Sequence, residues 1–132
     1  MNVDTNFGTV DISISGLRAQ NKSMQLISSN VANAQSTDDG TGQPYRRVEA
    51  ALKAGENGGV VFDEVNVDTS DFQKILKPGD PNADEQGYVS MPNVNVPMEM
   101  MNLSAAVRSY KANAAVLKRY QQMVETSLEL LK

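Results

Sequence analysis

Eleven positions near the C-terminus constrain this chain most. Val96, Met100, Leu103, Val107, Tyr110, Ala114, Leu117, Gln121, Val124, Leu128 and Leu131 step by four and three residues without a break, and ten of the eleven are apolar. A stripe held at that spacing is the a/d seam of a coiled-coil helix, narrower than the face of an ordinary globular one. Pro97 suits the first helical turn, where its missing N–H costs nothing, and no Gly or Pro follows it. A helix over 97–131 spans about 50 Å, more than a compact domain of 132 residues needs. Alone it is marginal in water, because ordering its backbone is offset only when the seam is buried. The seam demands a matching stripe.

The N-terminus offers a weaker one. Val10, Leu17, Met24 and Val31 fall seven apart, with Ile27 and Ala34 between them and Ser13 and Gln20 interrupting. With Asp11 as N-cap, the spacing predicts a helix over 10–35. Between the helices, STDDGTGQP (36–44) and KPGDPNADEQG (77–87) carry turn chemistry. Residues 45–52, 59–67 and 72–76 read as short strands. Residues 88–96 read as extended, with Pro92 confining them to an edge. The expected fold is mainly α with a small β middle segment: two long terminal amphipathic helices forming a coiled-coil pair, flanking short strands and loops. It divides into an N-terminal helical part (1–35), a strand and loop segment (36–95) and a C-terminal helix (96–132).

Asn30 and Asn33 stand a turn apart near the end of the first helix, although Asn is a poor interior helix former. The local reading is a C-terminal cap.

Composition excludes much chemistry. The chain has no Cys, His or Trp, which removes disulfides, thiolate nucleophiles, imidazole bases and the common zinc sites. No catalytic, cofactor-binding or metal-ligating residues are assigned. DPNADEQG (80–87) spaces acids like a calcium loop, but Glu85 stands where the loop needs Gly and Met91 where it needs a bidentate Glu; a tight turn is expected. The acid pairs Asp38–Asp39 and Asp63–Glu64 read as solvated, and the Met-rich stretch 91–101 as helix-entry packing. Net charge is −4: residues 36–95 hold eleven acids and five bases, residues 96–132 three acids and five bases. No clustered positive surface for nucleic acid is evident. The start MNVDTNFGTV has neither basic n-region nor apolar h-region, so no cleaved secretory signal is expected.

SGLRAQ (15–20), SSNVANAQST (28–37) and the long stretch KPGDPNADEQGYVSMPNVNVPMEMMNLSAAVRSYKANAAVLKRY (77–120) resemble the axial proteins of the bacterial flagellum. That family comprises rod, hook and hook-associated subunits, and the order P-G-x-P-x-A-D-x-x-G-Y-V-x-M-P-N-V, then E-M-x-N and R-S-Y-x-A-N, is similar to its proximal-rod branch. The resemblance covers the whole chain and is weakest over 38–76. It implies a structural subunit of the basal-body rod, exported unprocessed by the flagellar type III apparatus. Such a subunit polymerises through its terminal helices into a hollow shaft that transmits torque and passes later exports. Implied partners are copies of itself, other rod proteins, and ring and rod adaptor proteins, with no small-molecule substrate. Subunit packing would fall to Leu103, Val107, Tyr110, Leu117, Val124 and Leu128, opposite Leu17, Met24 and Val31, with Asn30 and Asn33 as a polar register and turn motif where the first helix leaves the tube. The alternatives are a needle or adaptor component of a related secretion system, which should lack GYVSMPNVNV, or a free-standing coiled-coil adaptor, which need not contain it.

Overall fold

The computed structural model describes residues 4–56 and 58–132, in the order α1 (Asp4–Ala32), β1 (Val48–Ala54), β2 (Val60–Val67), β3 (Gln73–Leu76), β4 (Tyr88–Met91) and α2 (Val96–Glu129). Two long helices and four short strands are thus present. α1 begins seven residues earlier than the capping argument places it, so Asp11 lies inside the helix and is not its N-cap. No Pro interrupts the first turns, and Gly8 costs only about 1 kcal/mol there. α1 ends at Ala32 rather than 35, because the chain then folds into turns through Ala34 N–H to Val31 O and Ser36 N–H to Asn33 O. α2 is capped by Asn95, whose side chain accepts the Met98 N–H at 3.0 Å, and Pro97 sits in the first turn.

α1 and α2 pack along each other. Asn30 touches Glu99, and Gly16 lies against Asn113; the fourteen-residue intervals run in opposite senses, so the helices are antiparallel. Gly16 permits this approach. A Cβ there would lie 2.7 Å from Asn113 Nδ2.

The contact is offset from the seam. The two buried residues of α2 are Glu99 and Ala106, each one position before a seam residue, and Asn113 and Tyr120 continue that line partly buried. The seam repeat describes what a helix would bury in a symmetric coiled coil. Here a polar anchor at Glu99 rotates α2 about its axis toward α1.

β1 and β2 form an antiparallel hairpin lying on α1. Within its tip, AGENGG, Asn57 lies outside the described residues. The tip meets α1 at Ser15, whose Oγ donates to Ile12 O at 2.7 Å and accepts the Val60 N–H at 3.1 Å. Gly59 is needed there, since a Cβ would fall 2.5 Å from that oxygen. A bulge between Ala51 and Leu52 pairs Leu52 with Phe62 and Ala51 with Glu64. Asp63 is thereby the extra residue, and Val60, Phe62, Val65 and Val67 share one face despite the D-E interruption. β3 and β4 form a second antiparallel pair, and β4 stops before Pro92 rather than running to 96. In the 77–87 loop the Asp80 and Asp84 carboxylates accept the backbone N–H groups of Asn82, Gln86 and Tyr88, the tight turn expected of it.

Candidate functional site

The apolar core is small: among the described residues only Ala19, Val89, Met91 and Ala106 are buried hydrophobics. What joins the segments is a polar node, and Asn30 and Glu99, both 0 % exposed, are its centre.

Asn30 reaches the node from the last turn of α1. Its Nδ2 donates to Val48 O at 2.7 Å and to Glu99 Oε2 at 3.0 Å. Its Oδ1 accepts the Val48 N–H and the Tyr45 hydroxyl, each at 3.0 Å. Two donors and two acceptor sites are all used, the full capacity of a carboxamide. Toward Val48 the amide behaves as an adjoining strand would, pairing both backbone groups of the residue that opens β1. Glu99, in the first turn of α2, accepts from Arg47 Nε through its other oxygen. Arg47 also pairs with Glu49 at 3.0 Å and lies 3.7 Å from Asp68. Burial works against its guanidinium, yet the hydrogen bonds it donates to Glu99 and Glu49 outweigh that and hold its pKa above the ordinary arginine value.

Asn93, between β4 and α2, extends the network. It accepts the Arg47 N–H at 2.8 Å and donates to Asp68 O and Ser70 Oγ, each at 3.1 Å. Arg46 donates to Asp68 O and Ser70 O and stacks on Phe72 with 4.1 Å to the ring centroid. Among the described residues no buried side-chain nitrogen or oxygen lacks a partner. The end of α1, the start of β1, the 68–70 turn and the start of α2 therefore form one hydrogen-bonded lock. Every buried polar side-chain atom in it is engaged.

Of the residues singled out from sequence, Asn30 is in this node. Asn33 sits one turn on, where its Nδ2 donates to Ser29 O at 2.9 Å and its Oδ1 accepts from Ser36 Oγ. Leu17, Met24, Val31, Leu103, Val107 and Leu117 are partly buried, whereas Tyr110, Val124 and Leu128 are exposed. Sequence reasoning missed Arg47, Tyr45, Asn93 and Glu99. An acid in a helix's first turn has a sufficient local reason in the helix dipole, which hid its tertiary role. The one available signal was Arg46–Arg47, two adjacent bases in the acidic middle segment.

The other end of the pair is open. The register set at Asn30–Glu99 and Gly16–Asn113 brings Gln121 level with Gly8, and from Gln121 onward every residue is exposed. Leu130 and Leu131 are 82 % and 83 % exposed. The chain exposes 9419 Å² in all, where a compact monomer of its mass exposes about 6,800 Å².

A satisfied polar lock, a minimal core and long uncovered helix faces are the features of a structural subunit. The chain is 40% identical to the flagellar basal-body rod protein FlgC of Yersinia enterocolitica over 125 residues, covering 91% of this chain and 93% of that protein. It is 38% identical over 134 residues to FlgC of Aquifex aeolicus, covering 96% and 97%. To FlgC of Bacillus subtilis it is 34% identical over 149 residues, covering 97% and 99%. The family described as flagellar basal body rod FlgEFG protein, C-terminal, matches residues 85–130. The chain belongs to the FlgC family of flagellar basal-body rod proteins, which is structural and not enzymatic.

Proposed function

We propose that this chain is a rod subunit whose mechanism is polymerisation. The ends 1–35 and 96–132 form the axial part of the assembled rod, and 36–95 makes lateral and outer contacts. The unsatisfied seam of α2 completes its coiled-coil packing against helices of neighbouring subunits. Val124 and Leu128 lie wholly in that intermolecular part, and Leu103, Val107, Tyr110 and Leu117 border it. The finished tube transmits torque and leaves a channel for later exports. Subunits reach it through the flagellar type III apparatus without signal cleavage, and bind copies of themselves, other rod proteins and the ring or rod adaptors.

The observation that carries this reading is the surplus of roughly 2,600 Å² over a compact monomer of this mass. An obligate interface buries about that much. Intact-mass spectrometry on purified hook–basal bodies tests it. The expected result is this chain, uncut apart from loss of Met1; its absence from otherwise complete basal bodies would overturn the reading.

A further inference from the structure

α2 carries a second apolar stripe. Met101, Ala105, Ala112, Val116, Met123 and Leu130 recur at intervals of four and seven residues, so they share one side of the helix. All six are exposed, Met101 at 67 %. This side faces away from the helix pair, and α2 packs against no element but α1 among the described residues. Beside it, one turn from stripe residues, stand Arg108 and Arg119, neither ion-paired among the described residues. Over 100–124 there are four cations and no acid. Two copies of this face therefore repel each other and do not pair symmetrically.

The complementary surface is on the hairpin. Leu52, Val60, Val65 and Val67 lie on the same face as Phe62 by cross-strand register. Phe62 sits under Lys22 of α1, 5.3 Å from ring centroid to ammonium, so this is the α1 side of the sheet. One helix is too narrow to cover it, and the four side chains stay 39–53 % exposed. Of the acids in 54–73, Asp63 and Glu64 lie on the opposite face, Asp63 paired with Lys53, and Asp68 faces Arg47, whereas Glu56 and Asp71 at the two ends of the hairpin are exposed and in no ion pair among the described residues.

Resting on the rod-subunit reading above, we infer that the outward stripe of α2 in one copy docks beside α1 on the uncovered hairpin face of a second copy. Apolar side chains would form the centre, with Arg108 and Arg119 meeting Glu56 and Asp71 at the rim. Each copy spends one face on each neighbour, at about 800 Å² a face in a standard interface. The total falls within the surplus surface. Because the two faces differ, the contact is heterologous and propagates into a ring or helix of subunits instead of closing as a dimer.

The chain has no cysteine, which makes cross-linking clean. Ala112→Cys with Val67→Cys in one chain, treated with a flexible bismaleimide in purified basal bodies, should give a ladder of linked copies, and either cysteine alone should not. Basal bodies that contain the double variant but yield no ladder, or links only to a different protein, would overturn the docking while leaving the rod reading intact. Absence of the unaltered chain from basal bodies would instead remove the rod reading. In parallel, Arg108→Glu with Arg119→Glu should lower incorporation roughly tenfold or more. Glu56→Lys with Asp71→Lys in the same chain should restore it; no loss, or no rescue, counts against the interface.

Discussion

Asn30 Nδ2 donates to Glu99 Oε2 at 3.0 Å, joining two fully buried side chains 69 residues apart. The bond links the Asn-rich end of the first helix to the E-M-x-N stretch that opens the second. Asn30→Leu keeps the volume but strands the Val48 N–H and C=O and withdraws one donor from Glu99. The expected loss is about 3 kcal/mol, read from urea denaturation of the purified chain. A change below about 1 kcal/mol would show that water replaces the amide.

Arg47 is the cation that offsets the buried Glu99 carboxylate. Arg47→Met should cost about 3 kcal/mol by leaving that charge unpaired. Adding Glu99→Gln removes the charge while keeping an acceptor for Asn30, so the double variant should be more stable than Arg47→Met alone. Equal stabilities would mean that the node is held by its neutral hydrogen bonds.

At the Gly16–Asn113 contact two effects oppose each other. Ala in place of Gly favours the helix by up to about 1 kcal/mol, but its Cβ displaces the Asn113 amide. Gly16→Ala should thus be neutral or destabilising in the native chain and stabilising in an Asn113→Ala background. A double-mutant cycle in thermal unfolding reads the difference.

Acid should loosen the 68–70 turn. Hydrogen bonds from the Ser70 hydroxyl and N–H, with smaller help from Arg47 and Arg46, hold Asp68 below its ordinary 3.8. A depressed carboxyl stabilises fully above the unfolded value of 3.8 and loses that contribution as pH falls through the folded one. Asp39, lowered by Thr41, acts in the same direction. Asp68→Asn should flatten the fall of the urea midpoint between about pH 2 and 4. Lys53, raised by Asp63, works oppositely: its contribution is full below 10.5 and lost as pH rises through its folded value.

Leu128→Asp with Leu131→Asp alters side chains that the monomer leaves exposed. Monomer stability should move by less than about 0.5 kcal/mol, while incorporation into basal bodies falls sharply. Normal incorporation would show that the overhanging end of α2 packs against nothing in the rod.

Much of the architecture was legible before any coordinates. The four-and-three seam located α2 within two residues, because period and caps are local properties of a helix. The turn chemistry at 36–44 and 77–87 likewise isolated the strands. The start of α1 was misplaced at Asp11, because an acid among apolar residues looks like a cap whether or not the helix continues past it. β4 was read too long, because Pro92 ends pairing as well as restricting it. Asn30 stood out as an oddity within a helix, but its partners did not: Val48, Tyr45 and Glu99 are 15 to 69 residues away, and no local rule connects them.

The sequence by itself therefore determined the two helices, the short strands, the absence of the usual catalytic side chains and the resemblance to flagellar axial proteins. Each of these rests on spacing or residue identity along the chain. Only the tertiary structure decided which side of α2 meets α1. The seam is apolar over its whole length, and burial alone does not choose among rotations that cover similar area. A carboxylate that must be paired does choose. Glu99 finds its hydrogen-bond partners at Asn30 and Arg47, and that requirement centres the contact one residue off the seam, leaving Met100, Tyr110, Val124 and Leu128 exposed.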